Sequence, residues 1–168
     1  YEIYVNGPKI AIKLWDALFE EGKAFNVRAG CPNLIERIEG GLLSYGNDMT
    51  IENTPFECGL GKFLQKKIPN ECISARALNS DKIRDPKKII RSISINYKEK
   101  IYCESIWKVV DEKNNYVGQI TSGAFSPDFN KIVALGMINK DCANNKNRLF
   151  TLINGKKYLI HIHEKPFI

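Results

Sequence analysis

Apolar positions recur along this chain with two different periods. Behind Gly7-Pro8, the residues Ile10, Leu14, Ala17 and Leu18 fall at helical spacing, and Trp15 widens the stripe. Proline suits a first helical position because its missing N–H would have had no partner there. A helix ending near Gly22 is therefore expected. Short strands are expected on either side of it, at residues 2–5 and around Phe25 and Val27. A second helix is expected from Pro32, turning Leu34, Ile35 and Ile38 inward and stopped by Gly40-Gly41. Residues 42–49 read as a loop or an edge strand. Strand and helix alternate here, which gives the opening stretch α/β or α+β character.

From about residue 89 the period falls to two. Ile93, Ile95 and Tyr97 alternate with Ser94 and Asn96, as one buried and one solvated strand face require. Residues 101–110 are rich in Ile, Val, Tyr and Trp, and residues 131–138 are another apolar run. Asp111 to Asn115 is a polar turn. Residues 149–153 and 157–163 flank Asn154-Gly155, a strong signal for a tight hairpin. Five or six short strands of this kind predict a small antiparallel barrel or sandwich. The fold class expected is α+β, with the change of character inside residues 70–90. We place the domains at residues 1–80 and 81–168.

Charge changes this picture in one place. The 168 residues carry a formal net charge of +6. Between Lys62 and Lys100 there are eleven Lys and Arg against four Asp and Glu, so the excess is local. Such a stretch attracts polyanions or is simply a solvated face. No basic–aromatic platform accompanies it, so nucleic acid is not expected as a partner. No apolar run approaches the ~20 residues of a membrane helix, so no membrane is expected either. Five scattered cysteines form no C-x-x-C pair, which argues against a zinc or thioredoxin-type site and for reduced thiols in the cytoplasm. The chain opens on Tyr1-Glu2-Ile3, which reads as a strand already under way, and no basic-then-apolar leader precedes it. A partial chain is expected. His161 and His163 lie two apart on one strand face. They lack an evident third ligand, so a solvent-facing surface is expected rather than a metal site. Cys58 is expected to be a small buried residue.

Four motifs occur in order. They are Tyr1-Glu2-Ile3, the run Arg37-Ile-Glu-Gly-Gly-Leu-Leu-Ser-Tyr-Gly-Asn-Asp48, the run Thr54-Pro-Phe-Glu-Cys-Gly-Leu60, and Gly118-Gln-Ile-Thr-Ser-Gly-Ala-Phe-Ser-Pro127 followed by Ile132 to Gly136. Together they resemble the aminomethyltransferase (glycine-cleavage T-protein) family, and the closing Lys165-Pro166-Phe167 adds to the likeness. The resemblance implies the remainder of a folate-binding α/β domain followed by a small C-terminal antiparallel β-barrel. It implies that the family's N-terminal region precedes this chain in the same protein.

The cofactor so implied is tetrahydrofolate. By resemblance Glu2 accepts the pterin N–H donors, a charge-assisted pairing that a carboxylate is suited to. Tyr45 is expected to contact the folate, and Tyr4 to stack in a similar way, since an aromatic body with a hydroxyl tip can pack and hydrogen-bond at once. Gly46, Asn47 and Asp48 are expected to shape the turn. Arg37 and Glu39 are expected to serve a buried or interface ion pair. One departure stands out. The family's glycine-cleavage members have an Arg where this chain has Asn33, so an always-charged donor has become a neutral amide. The run Gly30-Cys-Pro-Asn-Leu-Ile-Glu-Arg37 resembles the dimethylsulfoniopropionate demethylase branch instead. Asn33 becomes the candidate substrate-side residue, facing a small-molecule methyl donor. The function implied is demethylation of dimethylsulfoniopropionate to methylmercaptopropionate with formation of 5-methyltetrahydrofolate. The alternatives are an aminomethyltransferase of the glycine cleavage system and a non-catalytic folate-binding homologue. The acidic residue that the family places near the reacting nitrogen lies N-terminal to this chain, so no catalytic residue is assigned. The oligomeric state is left open.

Overall fold

The computed structural model describes residues 3–30, 33–144 and 146–168. By its contacts the chain parts into two compact units, Tyr1–Pro32 and Asn33–Ile168.

The first unit is built on α1 (Pro8–Gly22), with Pro8 at its start as expected. Its end is closed by a local hydrogen-bonded motif. Asn26 adopts a left-handed conformation (φ 54°), Val27 N–H donates to Gly22 O at 3.1 Å and Asn26 N–H to Lys23 O at 3.2 Å. These are the paired bonds of a Schellman cap. Residues 23–27 thus form a 3-10 turn and a cap where a strand was expected. The cap takes the backbone groups that a strand ladder would use. Gly22 packs closely here, because a Cβ on it would stand 2.6 Å from that of Val27. Residues 3–5 are irregular rather than a strand, and Ile3, Tyr4 and Val5 are exposed. A strand forms only as part of a ladder, and the sheet of this structure is built from residues 88–163. The apolar stripe of α1 is present, and its own unit covers little of it. Ile10, Trp15 and Leu18 of this stripe are exposed, Leu14 is half-buried, and Trp15 and Phe19 stack on each other, at 4.5 Å.

The second unit begins with α2 (Leu34–Glu39), then a turn at residues 44–49 and two short helical turns, α3 (Ala75–Leu78) and α4 (Asp81–Arg84). Six strands follow: β1 (Lys88–Ile95), β2 (Trp107–Val110), β3 (Tyr116–Ser126), β4 (Lys131–Asn139), β5 (Leu149–Ile153) and β6 (Lys156–His163). They close into an antiparallel barrel in the order β1-β4-β3-β2-β5-β6, with β6 returning to β1. Closure leaves no open sheet edge, which decides between the barrel and the sandwich. The expected strand over residues 101–110 is regular only at 107–110, while Tyr102 forms a single bridge to Ala124. The β5–β6 hairpin turns at Asn154 (φ 50°) and Gly155 (φ 74°), the two positive angles that the Asn-Gly pair accommodates.

Alternation fills the barrel. Ile93 and Ile95 of β1, Ile132, Ala134 and Ile138 of β4, and Ile160 and Ile162 of β6 face inward and are buried together. Three inner-wall glycines allow close approach. At Gly118 a Cβ would stand 2.4 Å from Met137 O, and at Gly136 it would stand 2.8 Å from Gln119 O. The third, Gly123, lies against Trp107. A second apolar cluster lies outside the wall. There Ile38 of α2 packs on Ala124, Val133 and Leu135, with Ile35, Leu43, Phe129 and Phe167 around it. Both helical and strand faces at this seam are apolar, so α2 is fixed to the outer side of β3 and β4.

Candidate functional site

α2 begins with a capping box. The Asn33 carboxamide oxygen accepts from Ile35 N–H (2.9 Å) and Glu36 N–H (3.0 Å), and Glu36 returns a carboxylate oxygen to Asn33 N–H at 3.0 Å. The other end closes on Gly41 (φ 68°), with Leu42 N–H donating to Arg37 O at 2.7 Å and Gly41 N–H to Ile38 O at 3.1 Å. No Cβ fits on Gly41, because it would stand 2.8 Å from Pro166 Cγ. The C-terminal tail is tied down there, with Phe167 N–H donating to Glu39 O at 2.8 Å.

The two caps fix where Arg37 points. Its Nη1 donates to Asp48 Oδ2 at 2.8 Å and to Leu42 O at 3.0 Å, and its Nη2 donates to Ser122 Oγ at 2.7 Å. Asp48 carries no solvent-exposed side-chain surface. Its Oδ2 also accepts from Ser44 N–H at 2.8 Å. Its Oδ1 accepts from Thr121 Oγ1 at 2.7 Å and from Ser122 Oγ at 2.6 Å. Asn47 Nδ2 adds bonds to Ser122 Oγ (2.8 Å) and Thr121 O (3.0 Å). These O–H···O⁻ distances are those of charge-assisted bonds. A buried ion pair with its lone pairs and protons satisfied in this way escapes most of the penalty that burying charge carries.

Consecutive residues of a regular strand point to opposite faces. Thr121 and Ser122 nevertheless reach the same carboxylate oxygen. The reason is a β-bulge in β3, where Ile120 pairs with Gly136 and Ser122 with the adjacent Leu135. The extra residue rotates the strand locally and turns both hydroxyls outward. Two motifs far apart in sequence, Tyr-Gly-Asn-Asp and Thr-Ser-Gly, are thereby one polar cluster on the barrel wall. The expected ion pair of Arg37 is present, but its partner is Asp48. Among the described residues Glu39 forms no ion pair. It is 4% exposed and its Oε1 has no hydrogen-bond partner.

Tyr45 projects from this clamped turn. Gly46, at φ 87°, donates to Met49 O at 2.8 Å, and Asp48 N–H donates to Ser44 O at 2.8 Å, so the backbone on both sides of Tyr45 is held. The Tyr45 side chain is 69% exposed. It makes no hydrogen bond among the described residues, so its ring and hydroxyl are available to a ligand. Asn33 lies in the same unit, with its oxygen committed to the cap and Nδ2 without a partner among the described residues. Tyr4 lies in the first unit and is exposed. Glu2 and Pro32, both singled out in the sequence, lie outside the described residues. Two clefts of about 610 and 840 Å³ occur elsewhere in the second unit, the first between residues 52–57 and 81–88, the second on the outer face of β2, β3 and β5. Neither is lined by Asn33, Arg37 or Tyr45.

Neither Cys58 nor Cys103 is set up as a nucleophile. Burial pushes the Cys58 thiol up, with Glu57 adding and Lys88 opposing. Burial also pushes Cys103 up, to about 11. Of the two histidines, His161 is exposed as expected, whereas His163 is half-buried. His163 Nε2 lies 2.9 Å from Ser94 Oγ, and its ring lies 4.9 Å from that of Phe167. The exposed tail residues gave no sign of this cover in the sequence.

A closed barrel preceded by a clamped Tyr-Gly-Asn-Asp turn defines a class that comparison with known proteins identifies. Residues 1–68 match the family model described as the GCVT N-terminal domain, and residues 93–168 match the glycine cleavage T-protein C-terminal barrel domain. The chain belongs to the aminomethyltransferase (glycine cleavage T-protein) family. It is 47% identical over 140 residues to the dimethylsulfoniopropionate demethylase DmdA of Ruegeria pomeroyi, covering 83% of this chain and 37% of that protein. It is 28% identical over 165 residues to an aminomethyltransferase of Prochlorococcus marinus strain NATL1A, covering 98% of this chain and 43% of that protein. Among solved structures, the glycine cleavage system aminomethyltransferase T of Bartonella henselae superposes with a TM-score of 0.68 at 27% identity, over 79% of this chain and 37% of that one. The chain spans less than half the length of each of these relatives.

Proposed function

We propose that this chain supplies residues of the folate-binding domain (1–80) and the C-terminal barrel (81–168) of a cytoplasmic, tetrahydrofolate-dependent methyltransferase. The reaction proposed is demethylation of dimethylsulfoniopropionate to methylmercaptopropionate, with formation of 5-methyltetrahydrofolate. The observation that carries this reading is the step in likeness, from 47% identity with the demethylase to 28% with an aminomethyltransferase. Asn33, an amide where glycine-cleavage members carry Arg, points the same way.

The exposed Tyr45 ring and hydroxyl on a rigid turn fit a flat, donor-rich pterin. Tyr45 packs on that ring, and the family resemblance makes Glu2 and Tyr4 the other residues proposed to contact the folate. Tetrahydrofolate supplies the nucleophile, its N5. The methyl group of a sulfonium is already electrophilic, so the residues of the site act by holding the reactants in line, which is worth several kcal/mol by proximity alone. Asn33 Nδ2 donates a hydrogen bond to the methyl donor from a helix end that its own oxygen has fixed.

The test is to supply the full-length protein with tetrahydrofolate and dimethylsulfoniopropionate. Formation of methylmercaptopropionate and 5-methyltetrahydrofolate in equal amounts is expected. The similarity to the Bartonella aminomethyltransferase fold favours a second reading, transfer of an aminomethyl-derived carbon in glycine cleavage. Release of ammonia from an aminomethyl-lipoyl carrier, with no thioether formed, would decide for that reading.

A further inference from the structure

We infer that Thr121 and Ser122, on the barrel wall, are positioning residues for the ligand-contacting turn, acting on Tyr45 through Asp48. The inference rests on the folate reading above, since Tyr45 is the ligand contact in question. Neither hydroxyl touches the proposed ligand, because Thr121 and Ser122 are 6% and 2% exposed and both are directed at Asp48. Their effect is transmitted in two short steps. The hydroxyls fix Asp48 Oδ1, and the same carboxylate holds Ser44 N–H, the residue before Tyr45, through Oδ2. Asn47, two residues after Tyr45, is tied to the same bulge through Thr121 O and Ser122 Oγ. The turn carrying Tyr45 is thus seated on β3 from both ends.

The bulge is what makes this work. A regular strand would present one of the two hydroxyls to Asp48 and bury the other in the barrel. Thr121 Oγ1 also lies 3.3 Å from Leu135 O, but a hydroxyl has one proton, and the charged acceptor at 2.7 Å takes it. Losing a hydrogen bond to a charged group is worth about tenfold in an equilibrium. Where the turn is loosened, that loss falls on ligand binding, because the seat of the turn on β3 runs through Asp48 and Asn47.

The experiment uses the full-length protein and its affinity for tetrahydrofolate, measured by calorimetry. Thr121→Val keeps the side-chain shape and removes the hydroxyl. It is expected to weaken binding about tenfold, as is Ser122→Ala, while Thr121→Ser restores wild-type affinity. Each variant is first checked for native circular dichroism. The deciding measurement is coupling. In a Tyr45→Ala background, Thr121→Val is expected to cost nothing further, because the contact it positions is gone. Wild-type affinity in both Thr121→Val and Ser122→Ala overturns the inference, as does a loss that persists undiminished without the Tyr45 ring. A wild-type protein that binds no tetrahydrofolate overturns the folate reading and this inference together.

Discussion

Asp48 concentrates more of this molecule's polar structure than any other residue of the signature. One carboxylate holds the turn, the helix end and the barrel wall. Its motif was legible in the sequence, and its role in shaping the turn followed from the turn chemistry of Tyr-Gly-Asn-Asp. Its partners were not legible, because Thr121 and Ser122 are more than seventy residues away and only a bulge brings both to one oxygen. Asp48→Asn leaves the Arg37 guanidinium without its charge partner. A loss of about 3–5 kcal/mol in urea denaturation is expected, as for other buried pairs deprived of one member. His163 bears a different prediction. Burial, with Lys131 and His161 adding, holds its imidazole below the ordinary value. The folded state therefore resists protonation that the unfolded chain accepts near pH 6.5. Stability from this group is complete above that pH and is lost as the pH falls below it. Thermal unfolding measured at pH 7.5 and 5.5 should show a smaller acid-induced drop for His163→Gln than for wild type.

At the level of elements, the outcomes sort by whether the signal was local. The start of α1, the second helix, the stop at Gly40-Gly41 and the Asn154-Gly155 hairpin all rest on residues within a turn of one another, and all are present. The strands expected at residues 2–5 and 25–27 depend on partners, and the described parts of both are irregular or capped. Asn33 illustrates a residue read correctly as special for a reason that is only part of its role. The missing Arg marked it, yet its oxygen caps α2, a function that any Asn, Ser or Asp before a helix with Glu three residues on can serve. The two roles separate experimentally. Asn33→Ser keeps the cap and removes Nδ2, so stability should change little while the KM for the methyl donor rises. Asn33→Ala removes both, and a further loss of about 1 kcal/mol in stability is expected by chemical denaturation.

The whole molecule contrasts a finished barrel with an unfinished helix. The barrel is closed, and its close approaches at Gly118 and Gly136 bring backbone against backbone. At Gly118 an added Cβ meets the carbonyl of Met137, an atom that cannot swing aside. Gly118→Ala should therefore cost at least the ~1–3 kcal/mol typical of overpacking, read as a lower midpoint in denaturant. α1 is the reverse case, a helix with a well-formed apolar stripe and little of its own unit against it. An exposed stripe of this kind promotes self-association. The 168-residue chain expressed alone should bind a hydrophobic dye and associate as concentration rises, and Leu18→Lys should reduce both in scattering and dye fluorescence. Monomeric behaviour without dye binding would show that the stripe is covered in solution.

By itself the sequence determined the period of each segment, the positions of its caps and tight turns, and the family signature, because these depend on neighbours along the chain. It left open a barrel or a sandwich, the partner of Arg37, and the cover over His163. Those were decided by the tertiary structure, since each depends on a contact between residues that only strand closure, a one-residue bulge or the returning tail brings together.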